Sequence, residues 1–368
     1  MSTLFESTDI NGLVLKNRFA RSATWEGMAE ADGTCSQQLI DLMQSFAQGQ
    51  VGLIITSHMY VTREGQATPL QMGIDSDTRV TPLRRMTAAV HGEGGKIIAQ
   101  IAHAGCFTNA KLTGMPPMAL SILDEKGQHK YRQATATDLQ QLVQDYADAA
   151  RRVREAGFDG VQLHGAHGYL LSQALSPALN QRNDAYGGSL ENRARLPLEV
   201  LAAVRQTVGE DFPVVIKVNC ADFLEGGLEL QEALAYGRML QDAGVDAIEV
   251  SGGTIVSGSL SPVREKISSE AKEAYFREGA KAYKAALQVP VFLVGGIRSI
   301  TLAEELYDAG VADYFSMARP FIREPALIKR WMEGDRRKST CISDNQCHIA
   351  ARSGEGLYCV VEKKQSGQ

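Results

Sequence analysis

Residues 155–164, EAGFDGVQLH, lead from the end of a predicted helix into a predicted buried strand. The same arrangement recurs as DAGVDAIEVS at 242–251 and as DAGVADYFSM at 308–317. In each copy a glycine follows the helix end, which is usual for a helix cap, and an aspartate stands just before the strand. A helix-to-strand loop that recurs in this way predicts a chain of alternating β and α units.

Eight short apolar runs alternate with longer amphipathic segments along the whole chain. Most are rich in Val and Ile and nearly continuous in apolar character, as expected for parallel strands buried on both faces. The predicted strands are 18–24, 51–58, 96–103, 160–167, 213–219, 247–253, 290–296 and 314–319. Strict alternation leaves an open doubly wound sheet or a closed barrel, and eight units favour the barrel. We therefore predict an α/β fold, a single (β/α)8 TIM barrel over 1–335, followed by a cysteine-containing tail over 336–368.

The helical segments carry recognisable start and stop signals. Periodicity predicts helices over 137–156, 189–208 and 229–243. The first begins with a predicted capping box, Thr137-Asp138-Leu139-Gln140, and ends at Gly157. These signals place the helices between the predicted strands.

Three connections add features to the plain barrel. Ile10-Asn11-Gly12-Leu13 predicts a type I′ hairpin that plugs the amino-terminal end of the barrel. Residues 104–136, after the third strand, and 254–270, after the sixth, are too long for ordinary barrel loops. Both follow a strand, so we expect them at the carboxyl-end face, where barrel active sites are built. They are candidate lids or substrate walls.

The composition excludes several classes of partner. The chain has 368 residues, of which 44% are hydrophobic and 22% charged, and its net charge of -5 gives no electrostatic reason to expect nucleic acid or an anionic membrane. No apolar stretch is long enough to span a bilayer, and the first residues lack the features of a signal peptide. The six cysteines do not form the pattern of a secreted disulfide scaffold. We expect a cytoplasmic homo-oligomer that binds neither nucleic acid nor membranes.

The carboxyl ends of the predicted strands are unusually polar. Inside a packed barrel, polar side chains belong at the rims, where they can be solvated or can cap the next helix. For any single residue that explanation is as good as a functional one. A set that converges on the carboxyl-end opening of the barrel, called the mouth below, instead favours function. The set is His58, Gln100, His103, His164, His167, Lys217, Asn219, Ser251 and Arg319.

His164 and His167 lie three residues apart at a strand end and can face one pocket. They then offer two N–H donors to one anionic or carbonyl oxygen. A metal site is the rival interpretation, but residues 163–169 supply no carboxylate or thiolate ligand, so we predict no metal there. Tyr169 follows directly and is a candidate proton donor to the same pocket.

Lys217 lies within a strand that is otherwise apolar, so its charge needs a partner. It is suited to forming a Schiff base, as in a class I aldolase, or to stabilising an anionic cofactor. Val294-Gly295-Gly296-Ile297 and Ala318-Arg319, after the seventh and eighth strands, offer backbone N–H groups and a cation. That is the usual place for a phosphate in this fold.

One long motif allows a family resemblance to be stated. Within His164 to Arg193, HGAHGYLLSQALSPALNQRNDAYGGSLENR, the most specific part is the run from Asn180 to Arg193. Residues 15–18 (LKNR), 99–105 (AQIAHAG) and Arg319-Pro320 fit the same family. On these motifs the chain resembles the Old Yellow Enzyme family of FMN-dependent oxidoreductases over nearly its whole length.

The resemblance implies a role for each site residue. Residues that line the flavin ring would be Ser22, Ala23, Thr24, Trp25 and His58. Gln100 would bond the pyrimidine edge, Lys217 would lie by N1 and O2, and Gly296, Ala318 and Arg319 would hold the phosphate. His164 and His167 would bind the carbonyl or nitro oxygen of the substrate, and Tyr169 would donate the proton. The role for Lys217 displaces the Schiff-base interpretation.

The activity implied is reduction of an activated C=C bond in a small molecule, with FMN as cofactor and NADPH or NADH as reductant. Two hypotheses of other classes remain. One is a flavin-free lyase that uses Lys217 as the imine-forming amine, and the other is a barrel that carries FMN without turnover.

Two mouth residues depart from the family pattern. Trp25 stands where relatives often have Thr or Cys, so we expect it to affect the flavin and to contact the substrate; its strand-end position disfavours a purely packing role. His58 stands where a small residue is common.

The tail is the third departure from the family pattern. It contains Cys341, Cys347 and Cys359. Larger relatives, the bacterial dienoyl-CoA reductases, hold an iron–sulfur cluster with four cysteines in a similar run. Asp344 stands where a fourth cysteine is expected. We predict a vestigial site without metal; the alternative is a dienoyl-CoA-reductase-like enzyme with an iron–sulfur centre.

Overall fold

A computed structural model describes residues 2–122 and 131–366, and it contains a closed parallel barrel. The strands are β1 (Thr8–Ile10), β2 (Leu13–Leu15), β3 (Phe19–Arg21), β4 (Leu53–Tyr60), β5 (Ile97–Ala102), β6 (Met118–Ala119), β7 (Arg132–Gln133), β8 (Val161–Gly165), β9 (Val214–Asn219), β10 (Ala247–Ser251), β11 (Val291–Val294) and β12 (Tyr314–Met317). The order around the barrel is β3-β4-β5-β8-β9-β10-β11-β12, and β12 pairs back to β3. All eight predicted strands are present, so the predicted (β/α)8 barrel is confirmed.

At least one helix follows each barrel strand. The helices are α1 (Gln37–Gln48), α2 (Val80–Gly92), α3 (Ala110–Thr113), α4 (Ala136–Glu155), α5 (Leu170–Leu175), α6 (Leu190–Val208), α7 (Leu230–Asp242), α8 (Arg277–Ala286), α9 (Ile300–Asp308), α10 (Arg319–Arg323), α11 (Leu327–Met332), α12 (Gln346–Arg352) and α13 (Val360–Ser366). Within the described part of the chain, none of them combines the length and the apolar character needed to cross a membrane.

The capping box of α4 begins two residues earlier than predicted. The Thr135 hydroxyl accepts the Asp138 backbone N–H at 3.1 Å, and the Asp138 carboxylate accepts the Thr135 N–H at 2.7 Å. The sequence offers a threonine three residues before a polar partner at both 135 and 137. Thr135 is the cap because its backbone is extended, whereas Thr137 already lies in the first helical turn.

The recurrent loop has a structural explanation in its aspartate. Each carboxylate accepts the backbone N–H of the residue that starts a neighbouring barrel strand. The bonds are Ile97 to Asp159 (2.8 Å), Val214 to Asp246 (2.7 Å) and Val291 to Asp313 (2.8 Å). They satisfy donors that would otherwise lack a partner at the barrel bottom, and they fix the register between strands.

The amino-terminal hairpin closes the lower end of the barrel, as predicted. Asn11 and Gly12 have φ of 48° and 80°, the two positive values that a type I′ turn requires. Apolar residues of β1 and β2 pack against inward-facing residues of the barrel strands. This cluster contains Ile10, Leu13, Leu15, Ala20, Leu53, Ile55, Ile98, Val215, Ala247, Phe292 and Tyr314.

The long loops and the tail surround the upper end. The described parts of 104–136 contain α3, β6 and β7; residues 123–130 of this candidate lid lie outside the described residues. The tail contains α12 and α13, which the sequence pattern does not predict because each has only seven residues. Cys347, Ala351 and Leu357 of the tail form a small apolar cluster with residues of the barrel mouth.

Candidate active site

A buried row of polar side chains crosses the inside of the barrel. Its members are at most 2% exposed, and they come from β5, β8, β9, β10 and the end of β3. The bonds are Gln100 Nε2 to Gln162 Oε1 (2.7 Å), Gln162 Nε2 to Glu249 Oε2 (2.8 Å), Ser22 Oγ to Glu249 Oε1 (2.8 Å) and Lys217 Nζ to Ser22 Oγ (2.8 Å). Lys217 Nζ also pairs with Glu249 at 3.2 Å, so the buried lysine has the counter-charge that it needs.

Glu249 sets the orientation of both amides in this row. A carboxylate only accepts hydrogen bonds, so Gln162 must turn its NH₂ towards Glu249 and its carbonyl oxygen towards Gln100. Gln100 then donates through Nε2, and its Oε1 remains as an acceptor. A side chain with a fixed acceptor and a second N–H fits the pyrimidine edge of a flavin, which presents an N–H between two carbonyl oxygens.

Glu249 and Gln162 were missed by the sequence interpretation. The signal for Glu249 is the one that revealed Lys217, namely a charge within an otherwise apolar strand. Glu249 and Lys217 are also aligned in the register of β10 with β9. That alignment depends on the sheet, which the sequence pattern does not specify.

The segment that follows β3 is held by a buried arginine. Arg21 pairs with Glu26 at 2.5 Å and donates to the Thr24 carbonyl oxygen at 3.3 Å. Burial raises the pKa of the Glu26 carboxyl, and Arg21 opposes that shift. Because both ends of residues 22–25 are fixed in this way, their backbone follows a defined path at the mouth.

Trp25 packs against the tail. Its ring belongs to the cluster that contains Cys347 and Leu357, and its Nε1 donates to the Pro69 carbonyl oxygen at 3.2 Å. Trp25 therefore makes packing contacts, although its position at a strand end argued against a purely packing role. Contact of Trp25 with flavin or substrate stays a prediction.

The ends of β11 and β12 form a cradle suited to a phosphate. Gly295 and Gly296 have φ of 128° and 78°, and a side chain at Gly296 would meet the Tyr275 ring at 2.8 Å. Arg319 follows Ala318, is buried, and donates through Nη1 to the Arg264 carbonyl oxygen at 2.8 Å. A fixed guanidinium beside glycine backbone fits the phosphate of FMN. Tyr275 and Arg264 at this cradle were not identified from the sequence.

Four ring side chains meet at the mouth. His58 comes from β4, His164 from β8, and His167 and Tyr169 from the segment after β8. The ring centroids lie 4.8 Å apart for His164 and Tyr169, 5.1 Å for His164 and His167, 5.3 Å for His58 and Tyr169, and 6.1 Å for His58 and His164. The structure therefore brings together the three residues predicted as catalytic and adds His58.

Strand-end polar residues hold His167 in place. His167 has a left-handed backbone with φ of 65°, and its N–H donates to Asn219 Oδ1 at 3.1 Å. Its Nε2 lies 2.8 Å from the Ser251 hydroxyl oxygen. His164, by contrast, has a buried Nδ1 without a hydrogen-bond partner among the described residues. His167 is thus fixed, while His164 retains a free polar atom at the mouth.

Burial decides the charge states in this cluster. It lowers the pKa of His164 and His167 well below the usual value, and the positive charge of Lys217 acts in the same direction. Burial also raises the pKa of the Tyr169 hydroxyl. At neutral pH His164 and His167 are therefore neutral imidazoles, each with one N–H, and Tyr169 is a protonated phenol. Such a site can donate hydrogen bonds to an oxygen and one proton to a carbon.

The tail cysteines lie together but are not arranged as a metal site. Cys341, Cys347 and Cys359 line one small cavity with Asp344 and Arg319. Burial raises the pKa of the Cys347 thiol to about 11, so this thiol is protonated at neutral pH when no metal is bound. Among residues 2–122 and 131–366, no group of three His, Cys, Asp or Glu side chains is placed to hold a metal ion. The vestigial interpretation stays a prediction.

Comparison with known proteins identifies a family of flavin enzymes. The model of the NADH:flavin oxidoreductase / NADH oxidase family matches residues 3–338. An NADH oxidase of Thermoanaerobacter brockii is 35% identical over 367 residues, which cover 96% of this chain and 54% of that protein. The chain thus spans about half the length of this relative.

Two further known proteins are matched over nearly their whole length. An NADPH dehydrogenase of Halalkalibacterium halodurans is 35% identical over 88% of this chain and 91% of its own length. The solved structure of an old yellow enzyme homologue from Zymomonas mobilis superposes with a TM-score of 0.77 at 28% identity, over 92% of this chain and 95% of that one. The chain belongs to the NADH:flavin oxidoreductase family, the Old Yellow Enzyme family of FMN-dependent enzymes.

Proposed function

We propose that this protein is an FMN-dependent ene-reductase that uses NADH or NADPH to reduce the activated C=C bond of a small α,β-unsaturated carbonyl or nitro compound. The observation that supports this most is the meeting of His164, His167 and Tyr169 beside the buried row that contains Gln100 and Lys217. Donors for one oxygen and a phenol proton are what this reaction needs from the protein.

The cofactor would be held by residues from several strand ends. Gln100 would bond the pyrimidine edge, Lys217 would lie beside it, and Gly296 with Ala318 and Arg319 would hold the phosphate. Residues 22–25 and His58 would line the flavin ring, largely through their backbone. When bound, FMN would supply the redox chemistry, which is hydride transfer between the nicotinamide and the alkene.

The protein's own groups bind, polarise and protonate the substrate. His164 and His167 donate to its carbonyl or nitro oxygen, which draws electron density from the alkene and stabilises the charge that develops there. Tyr169 gives its hydroxyl proton to the α-carbon. Because both imidazoles are neutral, they act as hydrogen-bond donors and leave the proton transfer to Tyr169.

The Schiff-base alternative has less support. An imine-forming lysine must present a neutral amine to the substrate. Lys217 instead pairs with Glu249 at 3.2 Å and is only 2% exposed. Its position favours a cationic role.

The proposal predicts that purified protein contains noncovalent FMN. Denaturation should release FMN, identified by reverse-phase chromatography, and anaerobic NADH or NADPH should bleach the visible absorbance of the holoprotein. A cyclic enone added next should restore that absorbance. Release of FAD, or no flavin even after reconstitution, would contradict the cofactor assignment; bleaching without reoxidation by any enone would indicate a flavin carrier.

The Lys217–Glu249 pair predicts a measurable effect on the flavin potential. In Glu249→Gln the positive charge of Lys217 loses its partner and stabilises the anionic reduced flavin more strongly. We expect the midpoint potential to rise by on the order of 30 mV or more, since 30 mV is about 1.4 kcal/mol for a two-electron couple. Spectroelectrochemical titration measures it.

The double variant Lys217→Met/Glu249→Gln serves as the control for this measurement. It removes both charges and should have a potential below that of Glu249→Gln. Equal potentials in the wild type and Glu249→Gln would show that the Glu249 charge has no electrostatic influence on the flavin.

A further inference from the structure

His58 makes a contact that crosses the mouth of the barrel. Its Nε2 lies 3.1 Å from the Tyr169 hydroxyl oxygen, although β4 and β8 are separated by β5 in the sheet. The pairing of β4 with β5 shifts its register between Ile55 and His58. Such irregularities redirect a side chain, and here the imidazole lies at the mouth beside Tyr169 and His164.

Apart from the histidines at the mouth, Tyr169 packs against apolar side chains. The residue is 8% exposed and packs with Ala102, Ala104 and Phe107. Within the described ranges, His58 makes the only hydrogen bond to the Tyr169 hydroxyl. When this phenol gives up its proton, it leaves a buried phenolate, which is costly unless a donor remains beside it.

The charge state of His58 suits a donor that keeps its proton. Burial, with a contribution from Lys217, lowers the pKa of His58 to about 4, so the ring is neutral at pH 7 and has a single N–H. With that hydrogen on Nε2, His58 donates to the Tyr169 oxygen, and the Tyr169 proton is free to point at the substrate. A neutral imidazole is a very weak acid, so it stabilises the phenolate without replacing Tyr169 as proton source.

We propose that His58 is a positioning residue that orients the Tyr169 hydroxyl and stabilises its phenolate through an Nε2–H hydrogen bond, an inference that depends on the proposed ene-reductase function. In the protonation step the Tyr169 O–H bond breaks and the α-carbon gains the hydrogen. The electron pair stays on the phenolate oxygen, which accepts the bond from His58. Solvent then restores the proton to Tyr169, and His58 keeps its own hydrogen throughout.

The test compares two substitutions in the oxidative half-reaction with an enone, followed by anaerobic stopped flow. His58→Ala removes the donor. Because a hydrogen bond to a charged group is lost, we expect the rate of this half-reaction to fall by about 10- to 100-fold. His58→Gln keeps an N–H donor on a side chain of similar reach and should recover most of that loss. Rates with a nitroalkene, whose reduced product can be protonated in solution, should fall less than rates with the enone.

A double-variant cycle separates this role from a purely structural one. In the Tyr169→Phe background no phenolate forms, so His58→Ala should cause little further slowing. Full additivity of the two effects, or failure of His58→Gln to recover activity while it retains flavin, would overturn the inference. Wild-type protein that binds FMN but reduces no activated alkene would instead overturn the proposed function, and this is measured before any variant is compared.

Discussion

Tyr169→Phe is expected to slow the reduction of an enone by about 10²–10⁴, the usual contribution of a positioned general acid. The substitution removes one buried hydroxyl and leaves the ring, with its contacts to His58 and His164, in place. Flavin reduction by NADH or NADPH needs no proton donor at the substrate α-carbon. The reductive half-reaction should therefore stay near the wild-type rate in stopped flow, while the oxidative half-reaction slows.

A matched control is available on α7. Tyr236 is also buried, and its hydroxyl has no hydrogen-bond partner among the described residues, so Tyr236→Phe makes the same chemical change away from the mouth. It should leave both half-reactions unaltered. Equal slowing of both half-reactions in Tyr169→Phe would assign Tyr169 to flavin positioning, and the proton donor would then be sought in the 104–136 loop.

The double variant His164→Ala/His167→Ala is expected to weaken the binding of phenols and enones by about a hundredfold or more. Loss of a preorganised donor to a buried oxyanion costs a few kcal/mol, and this variant removes two imidazoles. In the wild type, a bound phenolate should give a long-wavelength charge-transfer band with the oxidised flavin. Titration of that band measures the affinity directly, without turnover.

His91→Ala is the control for the double histidine variant. His91 lies on α2 and contacts Asp159 at 2.8 Å, in the loop at the opposite end of the barrel from the cluster. Its removal should leave the charge-transfer band and the phenol affinity unaltered. An unchanged band and affinity in the His164→Ala/His167→Ala protein would exclude the two histidines from substrate binding.

Local features of the chain specify the strands and indicate much of the candidate site. The strands were recognised because a parallel strand buried on both faces needs a nearly continuous apolar run. His164, His167 and Tyr169 could be identified as candidates because they lie within six residues of one another at one strand end. Where a choice was local but ambiguous, as between Thr135 and Thr137 at the start of α4, the sequence interpretation failed.

The sequence by itself determined the eight-unit barrel, the hairpin plug, the polar strand ends and the family motif, since each depends on residues close together in the chain. The tertiary structure decided which strand-end groups touch. It placed Glu249 against Lys217, joined Gln100 to Gln162, packed Trp25 on the tail and brought His58 to Tyr169 across 111 residues. The reason is that closing a barrel brings strands together in an order and register set by the whole sheet, and a hydrogen bond forms only where that register leaves two side chains about 3 Å apart.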